Sequence, residues 1–311
     1  MRVIIAGGAG FLGSHLTDLH VARGDAVVVL DDFTTGTQEN LAHLASTAAV
    51  EVIAADVSVE VPVTGAVDRV YNLASPASPP AYLERPLETL AVGSEGTRRL
   101  LELADTSSAR FVMASTSEIY GDPMVHPQVE DYRGNVDPIG PRGVYDEAKR
   151  FAEAITMAFH TKRGTDIGIA RIFNTYGPRL AAGDGRVVSN FIVQALRGDP
   201  LTVYGDGLQT RSLCYVADLV AGLAALGDAT VIGPINLGNP DERTVLEIAE
   251  TILELTGSSS SIEHLPLPTD DPTRRCPDIT RATEQLGWRP SIKTEDGLKV
   301  TIDHFAELLD R

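Results

Sequence analysis

A glycine-rich stretch near the start of the chain places the tightest constraint on its fold. Residues 2–6 are apolar and predict a buried strand, Gly7-Gly8-Ala9-Gly10-Phe11-Leu12-Gly13 follows, and a helical pattern runs to about residue 22. Gly7 permits a tight turn, Gly10 lets the backbone approach a pyrophosphate, and Gly13 lets the helix pack closely on the strand. The free amides at the helix start then face the phosphates. We therefore expect Gly7, Gly10, Phe11, Leu12 and Gly13 to bind a dinucleotide.

A second predicted strand, over residues 26–30, ends in two carboxylates, Asp31 and Asp32. Asp31 follows Gly13 at the spacing from which a carboxylate accepts hydrogen bonds from the adenine ribose. Because a carboxylate there would repel a 2′-phosphate, NAD is favoured over NADP. Asp56 follows a third predicted strand, over residues 50–54, and is a candidate for the adenine edge, with a role in a turn as the alternative.

Predicted strands and helices alternate along the first half of the chain, which indicates an α/β fold with a doubly wound parallel Rossmann sheet. The further strands are predicted at residues 70–73, 111–115 and 167–172, and the helices between them at 87–104 and 145–162. Ligands of such sheets lie at the carboxyl ends of the strands. We therefore expect Leu73 and Ala74, at one of these ends, to contact the cofactor.

The regular alternation of strands and helices ends in the second half of the chain, where shorter helices are predicted at 187–196, 218–226 and 245–255 with turns between them. We predict a NAD-binding Rossmann domain over residues 1–173 and a smaller C-terminal substrate-binding lobe over 174–311, some segments of which return to pack on the sheet. Residues 121–140 are rich in Pro, Gly, Asp and Asn. Because they are long for a structureless connection, they are expected to form a wall or lid of the site.

Tyr145 and Lys149 lie four residues apart in a predicted helix, so their side chains share one face. A lysine ammonium beside a phenol favours the phenolate and lowers its pKa from about 10. Tyr145 would then accept the proton of an alcohol under oxidation. Thr116, Ser117 and Glu118 follow strand 111–115 and are expected at the same end of the sheet. Tyrosine and lysine are also common on helix surfaces, which is the alternative interpretation.

The charge of the chain restricts its partners. It has 26 basic and 43 acidic side chains and a formal net charge of −17. Such a surface repels phosphate backbones, so nucleic acid is not expected as a partner. Guanidinium groups bind phosphate and carboxylate bidentately. The candidates for an anionic substrate are Arg179, Arg186, Arg211, Arg274 and Arg275, with surface salt bridges as the alternative.

The cysteines and histidines do not predict a disulfide framework or a metal site. Cys214 and Cys276 are far apart, and the seven histidines are scattered. No apolar run approaches the roughly 18 to 20 residues needed to cross a bilayer, and we expect no signal peptide before the first strand. We expect a soluble cytoplasmic protein.

The glycine loop, the Thr-Ser-Glu sequence and the Tyr-x-x-x-Lys pair together resemble the extended short-chain dehydrogenase/reductases (extended SDR), which act on nucleotide sugars. Over nearly the whole chain the sequence is most similar to their UDP-glucuronate decarboxylase (UDP-xylose synthase) branch. The runs that carry this resemblance include Asn72-Leu73-Ala74-Ser75-Pro76-Ala77-Ser78-Pro79-Pro80, Ala114-Ser115-Thr116-Ser117-Glu118, Pro138-Ile139-Gly140-Pro141-Arg142, Gly185-Arg186-Val187-Val188-Ser189-Asn190-Phe191 and Asn236-Leu237-Gly238-Asn239-Pro240.

The resemblance implies that Tyr145 is the catalytic base and that Lys149 is its electrostatic partner, which also holds the nicotinamide ribose. It implies that Thr116 and Ser117 bond the C4 hydroxyl of the sugar, that Glu118 lies close to C5 and its carboxylate, and that Arg275 engages the anionic part of the substrate. When the positions that the resemblance places at the UDP site are combined with the arginines expected to bind an anionic substrate, the residues expected at the substrate are Asn174, Arg179, Arg186, Asn190, Tyr204, Arg211 and Arg275. Relatives pair helices 87–104 and 145–162 across a two-fold axis, so a homodimer is expected.

The implied reaction is the NAD-dependent decarboxylation of UDP-glucuronate to UDP-xylose. Oxidation of C4 to a ketone makes a β-keto acid, from which CO2 leaves as the electrons pass into an enolate, and the retained cofactor then reduces C4. Two positions depart from the family pattern. Cys276 stands where lysine is expected, and Leu213 stands where an aromatic residue is usual.

Three alternatives stay open. A 4-epimerase and a 4,6-dehydratase of nucleotide sugars use the same scaffold. A dehydratase needs an acid directly before the glutamate, where this chain has Ser117, and an epimerase normally has no carboxylate at the position of Glu118. The remote alternative, a non-catalytic NAD-binding sensor, predicts a disrupted Tyr-Lys-Thr set.

Overall fold

The computed structural model describes residues 1–267 and 273–309, and a large parallel sheet lies at its centre. The strands of this part of the chain are β1 (Arg2–Ala6), β2 (Ala26–Asp31), β3 (Val50–Ala54), β4 (Arg69–Asn72), β5 (Arg110–Thr116), β6 (Ile167–Ile172), β7 (Thr175–Tyr176), β8 (Leu201–Tyr204), β9 (Thr210–Ser212), β10 (Cys214–Tyr215), β11 (Pro234–Leu237), β12 (Glu242–Thr244) and β13 (Ile262–Leu265). The central sheet has the order β11-β6-β5-β4-β1-β2-β3, and all its neighbours run parallel. The sheet grows in both directions from β1, so the predicted doubly wound fold is confirmed.

The helices cover both faces of the sheet. They are α1 (Phe11–Ala22), α2 (Pro79–Glu84), α3 (Pro86–Ala91), α4 (Thr97–Ser107), α5 (Gly143–Arg163), α6 (Val187–Arg197), α7 (Val216–Asp228), α8 (Val245–Thr256), α9 (Thr280–Leu286) and α10 (Thr294–Leu309). Successive strand residues point to opposite faces. Val3 and Ile5 of β1 therefore join one apolar core, which contains residues of α1 and α7, and Ile4 joins another, which contains residues of α4 and α5.

The C-terminal part of the chain contributes to both the sheet and a separate core. Strand β11 pairs with β6 in parallel, with Ile235 beside Ala170, so a segment from beyond residue 173 completes the edge of the sheet. A third apolar core lies among α6, α8 and α10 and includes Phe191, Ile248 and Phe305. The smaller lobe is built around this core. No helix among the described residues has both the length and the apolarity needed to cross a bilayer.

The helix predicted at residues 87–104 is interrupted. Helix α3 is followed by a π-helical turn, Val92–Gly96, before α4 begins. A Cβ at Gly93 would lie 2.8 Å from the Cβ of Ala148 in α5, so the missing side chain lets the two helices approach closely. Val92 of this turn lines the main cavity of the protein. A single π turn inside a helix often marks a functional site.

The connection over residues 121–140, here the connector, is held against the sheet by buried polar groups. Arg171 of β6 donates to the carbonyl oxygen of Glu130 at 2.7 Å and pairs with the carboxylate of Glu153 in α5 at 2.8 Å. The Glu130 carboxylate accepts the backbone N–H of Asn236 at 2.9 Å. Glu153 also accepts from the hydroxyl of Ser115 at 2.6 Å. Strand β5, helix α5 and the connector are thus fixed relative to one another just below the strand ends.

Candidate active site

One cavity of about 1240 Å³ lies at the carboxyl ends of the central strands. It is lined by residues of both lobes, and the predicted site residues meet there. They are Gly7, Gly10, Phe11, Leu12, Gly13, Asp31, Asp32, Asp56, Leu73, Ala74, Thr116, Ser117, Glu118, Tyr145, Lys149, Asn174, Arg179, Arg186, Asn190, Tyr204, Arg211 and Arg275. Arg274, the other arginine expected to bind an anionic substrate, is exposed and does not line this cavity.

The glycine loop has the close packing that a dinucleotide site requires. A Cβ at Gly13 would lie 2.1 Å from the carbonyl oxygen of Gly7, and Gly7 itself has φ +76°. Gly10 precedes the first turn of α1, and no side chain caps that turn. The backbone amides there are therefore available to an anion in the cavity, since helix starts leave their first N–H groups without helical partners. The loop fits the phosphates of a dinucleotide.

Two carboxylates line the cavity beside this loop. Asp31 is buried and accepts the N–H groups of Ala9 and Phe33, both at 2.9 Å. Burial raises the pKa of Asp31, although these hydrogen bonds oppose the rise. Asp32 is exposed and binds the backbone and hydroxyl of Thr34 at 2.9 and 2.8 Å. The pair forms an acidic edge that suits ribose hydroxyls and disfavours a 2′-phosphate.

Asp56 lies farther along the cavity wall, after β3. Its carboxylate accepts from both the backbone N–H and the hydroxyl of Ser58, at 2.8 and 2.7 Å. These bonds belong to a turn, which was the alternative interpretation of this residue, while the side chain also borders the cavity.

Tyr145 and Lys149 lie on the cavity face of α5, and both are buried. The Lys149 ammonium donates to the carbonyl oxygen of Ala114 at 2.9 Å and lies 5.8 Å from the centre of the Tyr145 ring. Burial raises the pKa of Tyr145, and a hydrogen bond with Thr116 opposes the rise. The predicted lowering of this pKa is wrong for this arrangement, because burial is the largest cause of its shift and the Lys149 ammonium donates to the backbone of β5. Burial lowers the pKa of Lys149 to about 8.

Glu118 lies in a one-turn helix, Ser117–Tyr120, directly after β5, and two guanidinium groups hold its carboxylate. Arg275 binds both carboxylate oxygens, with its Nη2 atom 3.1 Å from Oε2, and Nη2 of Arg142 lies 2.7 Å from the same oxygen. Although burial opposes it, the charges of Arg275 and Arg142 lower the pKa of Glu118 to about 2. The carboxylate is therefore ionised throughout the physiological range.

Two hydroxyl groups, those of Thr116 and Ser117, neighbour Glu118 at this end of the cavity. Oγ1 of Thr116 accepts the N–H of Glu118 at 3.2 Å, which caps the one-turn helix, and it also hydrogen bonds with Tyr145. Ser117 is buried and borders the cavity. Thr116, Ser117, Glu118 and Tyr145 thus form one polar end of the cavity.

The smaller lobe supplies cationic and amide groups. Arg186 forms an ion pair with Asp184, with Nη2 2.9 Å from Oδ1. Arg179 pairs with Asp18 at 2.7 Å, and its Nη1 atom is buried without a hydrogen-bond partner. Arg211 donates to the carbonyl oxygen of Thr210 at 2.8 Å. Asn174, Asn190 and Tyr204 complete this part of the wall.

Among the side chains that contact Glu118 or Tyr145, sequence reasoning missed those of Arg142 and Tyr82. Arg142 binds Glu118, and although it lies in the Pro-Ile-Gly-Pro-Arg run, nothing in that run indicates its partner. Tyr82 of α2 stacks on Tyr145, with ring centres 5.1 Å apart and planes 9° apart, and it lines the cavity. The Ser-Pro-Pro sequence before Tyr82 is a helix-start signal, but it does not indicate the stacking.

The two departures from the family pattern have different surroundings. Leu213 is buried and borders the cavity, whereas Cys276 is buried outside the cavity wall. Burial raises the pKa of the Cys276 thiol. Only Leu213 is therefore placed to contact a ligand.

The sequence model of the NAD dependent epimerase/dehydratase family matches residues 3–238 of the chain. UDP-glucuronic acid decarboxylase 1 of Arabidopsis thaliana is 52% identical over 305 residues, which are 98% of this chain and 70% of that protein. UDP-glucuronic acid decarboxylase 1 of Danio rerio is 52% identical over 309 residues, 99% of this chain and 73% of that protein.

Solved structures of related enzymes have the same fold. UDP-glucuronic acid 4-epimerase from Bacillus cereus, in complex with UDP-glucuronic acid and NAD, superposes with a TM-score of 0.88 and is 27% identical, covering 99% of this chain and 100% of that one. The dTDP-glucose 4,6-dehydratase DesIV from Streptomyces venezuelae, with NAD and TYD bound, has a TM-score of 0.89 at 26% identity, covering 99% and 97%.

We expect Gly13→Ala to weaken dinucleotide binding by at least about tenfold, because its Cβ would meet the Gly7 carbonyl and displace the phosphate loop. Bound nucleotide released from the purified protein by acid measures the effect. Gly198→Ala is the matched control, since Gly198 has φ +76° at the end of α6 with open space around it. It should cost stability of about 1 kcal/mol without affecting the nucleotide. Equal nucleotide content in the two variants would contradict the assignment of the loop.

Proposed function

The chain belongs to the NAD-dependent epimerase/dehydratase family, and from that premise we propose that it is an enzyme that decarboxylates UDP-glucuronate to UDP-xylose with NAD as its cofactor. The observation that carries the proposal is the 52% identity with UDP-glucuronic acid decarboxylases along almost the whole chain. The epimerase and dehydratase structures named above share only 26–27%. The site chemistry agrees with this assignment, because the partly buried, ionised carboxylate of Glu118 lies beside the tyrosine and two hydroxyl groups.

The glycine loop and Asp31 suit the phosphates and the adenine ribose of NAD, and Lys149 lies on the side of the cavity where the nicotinamide ribose is expected. NAD supplies, when bound, the hydride acceptor for C4, the hydride that is later returned there, and a positive charge near the reacting carbon. We propose that Leu73 and Ala74, at the end of β4, line the same part of the cavity. The role of the chain is to hold and orient both reactants.

Tyr145 is the proposed acceptor of the C4 hydroxyl proton. Burial keeps its phenol protonated in the resting site, so the proton shift depends on nearby positive charge and on the hydrogen bond with Thr116. The Lys149 ammonium, 5.8 Å from the ring, supplies part of that charge at neutral pH. Tyr82 stacks on the phenol ring and restricts its rotation.

Glu118 and Arg275 are the groups proposed to act near C5. Because Glu118 is ionised and bound by two guanidinium groups, it orients the sugar or a water molecule rather than holding a proton. Thr116 and Ser117 donate hydrogen bonds to the oxygen on C4, where negative charge develops as CO2 leaves. The Arg275 guanidinium engages the anionic part of the substrate.

The nucleotide half of the substrate is proposed to lie in the smaller lobe. Within residues 174–311, the guanidinium groups of Arg179, Arg186 and Arg211 provide positive charge for a diphosphate in a protein of net charge −17. Asn174, Asn190 and Tyr204 supply polar and aromatic groups for uridine. Residues 1–173, completed by β11, form the NAD-binding half.

A 4-epimerase that acts on the same sugar nucleotide is the second candidate, since the Bacillus cereus structure with UDP-glucuronic acid has this fold. A 4,6-dehydratase is disfavoured because Ser117 cannot protonate a departing hydroxyl as an acid would. The intact Tyr145, Lys149 and Thr116 set disfavours a non-catalytic NAD-binding sensor.

Proton NMR of the protein incubated with UDP-glucuronate tests the proposed function. We expect UDP-xylose to accumulate without a net rise in NADH absorbance, because each hydride taken from C4 is returned. UDP-galacturonate as the sole product would identify an epimerase instead. A lack of turnover with any nucleotide sugar would favour the sensor.

We expect Tyr145→Phe to lower turnover by about 10² to 10⁴, the contribution typical of a general base, while NAD and UDP bind within a few-fold of their normal affinity. Single-turnover rates and calorimetry measure these two effects. Tyr215→Phe is the control, since Tyr215 does not line the cavity. Loss of bound NAD in Tyr145→Phe, or an unchanged rate, would contradict the role of Tyr145 as a base that acts only on the proton.

We also propose that the protein forms a homodimer through α3 and α5. These helices pack on each other, and their outer face exposes a set of apolar side chains. The set includes Leu87, Leu90, Phe151, Ala154 and Ala158. Leu87 is 76% exposed and Phe151 49% exposed, which is unfavourable unless the face is covered. A second copy covers it by the same face, as two-fold symmetry requires.

The double variant Leu87→Glu and Phe151→Glu should be a monomer, because four carboxylates would then meet at the two-fold axis. Light scattering measures the mass, which should be 33.2 kDa for the variant and twice that for the wild type. Val59→Glu, at a 65% exposed valine outside these helices, is the control and should leave the mass unchanged. A monomeric wild-type protein would contradict the proposal.

A further inference from the structure

Arg275 lies in a short segment, residues 273–278, which we name the strap. The connector holds this strap on both sides of the arginine. Near its start, the N–H and hydroxyl of Thr273 both donate to Oδ1 of Asp122, at 3.1 Å each. On the other side of Arg275, Cys276 and Asp278 bind one connector residue, Gln128. The strap therefore depends on the connector for the position of Arg275.

Gln128 is buried in the connector and makes hydrogen bonds with all its polar groups. Its backbone N–H donates to the carbonyl of Cys276, and its carbonyl accepts the N–H of Asp278, both at 2.9 Å. Its side-chain Oε1 accepts the N–H of Cys276 at 2.9 Å, and its Nε2 donates to the carbonyl of Val125 at 3.0 Å. The carbonyl also accepts from the side-chain amide of Asn236 in β11, at 2.9 Å.

These contacts close a ring of connected groups. Glu118 precedes the connector, the connector reaches the strap through Gln128, and the strap returns to Glu118 through Arg275. The side-chain amide of Gln128 binds the residue next to Arg275, so it restricts where the guanidinium can lie. A buried amide that lost these partners would be costly, which favours one defined geometry.

We infer that Gln128 is a positioning residue, which fixes Arg275 against Glu118 through the N–H of Cys276. This inference rests on the proposed function, since it assigns to Gln128 control of the pair that faces C5 of the substrate. Gln128 does not line the cavity, so it acts through Arg275 rather than on the substrate itself.

The acid limb of the pH dependence of kcat/KM reports on the pair formed by Glu118 and Arg275. The charged and titratable groups that face Glu118 are Arg275 of the strap, Arg142, Tyr145 and Asp146 of the α5 region, Tyr82 of α2, and Arg186 before α6. Desolvation and the carboxylate of Asp146 favour protonation of Glu118, whereas the arginines oppose it. Displacement of one arginine therefore raises the pKa of Glu118, and activity that needs the carboxylate is lost at a higher pH.

Gln128→Met removes both side-chain hydrogen bonds at similar volume and is the central variant. We expect the acid limb of kcat/KM to move upward by about one pH unit or more, the effect of weakening one nearby opposite charge. If Gln128→Met does not fold, Gln128→Asn, whose shorter amide does not reach Cys276, makes the same comparison.

Tyr132→Phe is the control for a general loosening of the connector. It removes the bond from the Met124 N–H to the Tyr132 hydroxyl, 3.0 Å long, without touching the strap. Its pH profile should match that of the wild type. A lower rate in Gln128→Met with an unshifted acid limb, or an equal shift in Tyr132→Phe, would overturn the positioning role.

A binding measurement separates this inference from the proposed function. If the wild type releases no CO2 from UDP-glucuronate, the proposed function fails, and calorimetry with UDP-glucuronate and with UDP then tests Gln128 alone. We expect Gln128→Met to weaken UDP-glucuronate about tenfold and to leave UDP within about twofold, because only the sugar end depends on Arg275. Equal losses for both ligands would overturn the inference.

Discussion

The partly buried carboxylate of Glu118, bound by Arg275 and Arg142, makes the interaction on which the site depends. Its partners come from separate parts of the chain, since Arg275 lies in the strap and Arg142 at the start of α5. A carboxylate at this depth is unfavourable without such partners. The two ion pairs therefore join the strap and the start of α5 to the end of β5, and they hold a charged group near Tyr145.

The cavity has three parts with different chemical properties. The glycine loop offers backbone N–H groups and close approach, while the smaller lobe offers guanidinium groups in an otherwise acidic protein. Between them lies a polar cluster in which burial raises the pKa of Tyr145 and lowers that of Lys149. A sugar bound between NAD and UDP would contact Tyr145 and Lys149, whose pKa values are shifted by burial in the protein.

Much of the fold and the composition of the site followed from the sequence, because both are encoded in local patterns. Strand ends predict where Asp31, Thr116 and Glu118 lie, and helical spacing predicts that Tyr145 and Lys149 share a face. Long-range pairing is not local. The contact between Arg142 and Glu118 depends on how the connector folds, and the π turn at Gly93 depends on the approach of α5.

The direction of the Tyr145 pKa illustrates the same limit. Spacing correctly places a lysine near the phenol, but the depth of burial and the choice of the Ala114 carbonyl as the lysine's partner depend on tertiary packing. The tyrosine is consequently protonated in the resting site. Transfer of the C4 hydroxyl proton to Tyr145 then requires added positive charge nearby. A retained, positively charged cofactor would supply that charge.

Release of labelled CO2 tests the account most directly. UDP-glucuronate with radiocarbon at C6 is incubated with the protein, and the gas above the solution is trapped in alkali and counted against the UDP-xylose formed. The account predicts one labelled CO2 for each UDP-xylose. Label that stays entirely in the nucleotide sugar while the substrate is consumed would contradict it.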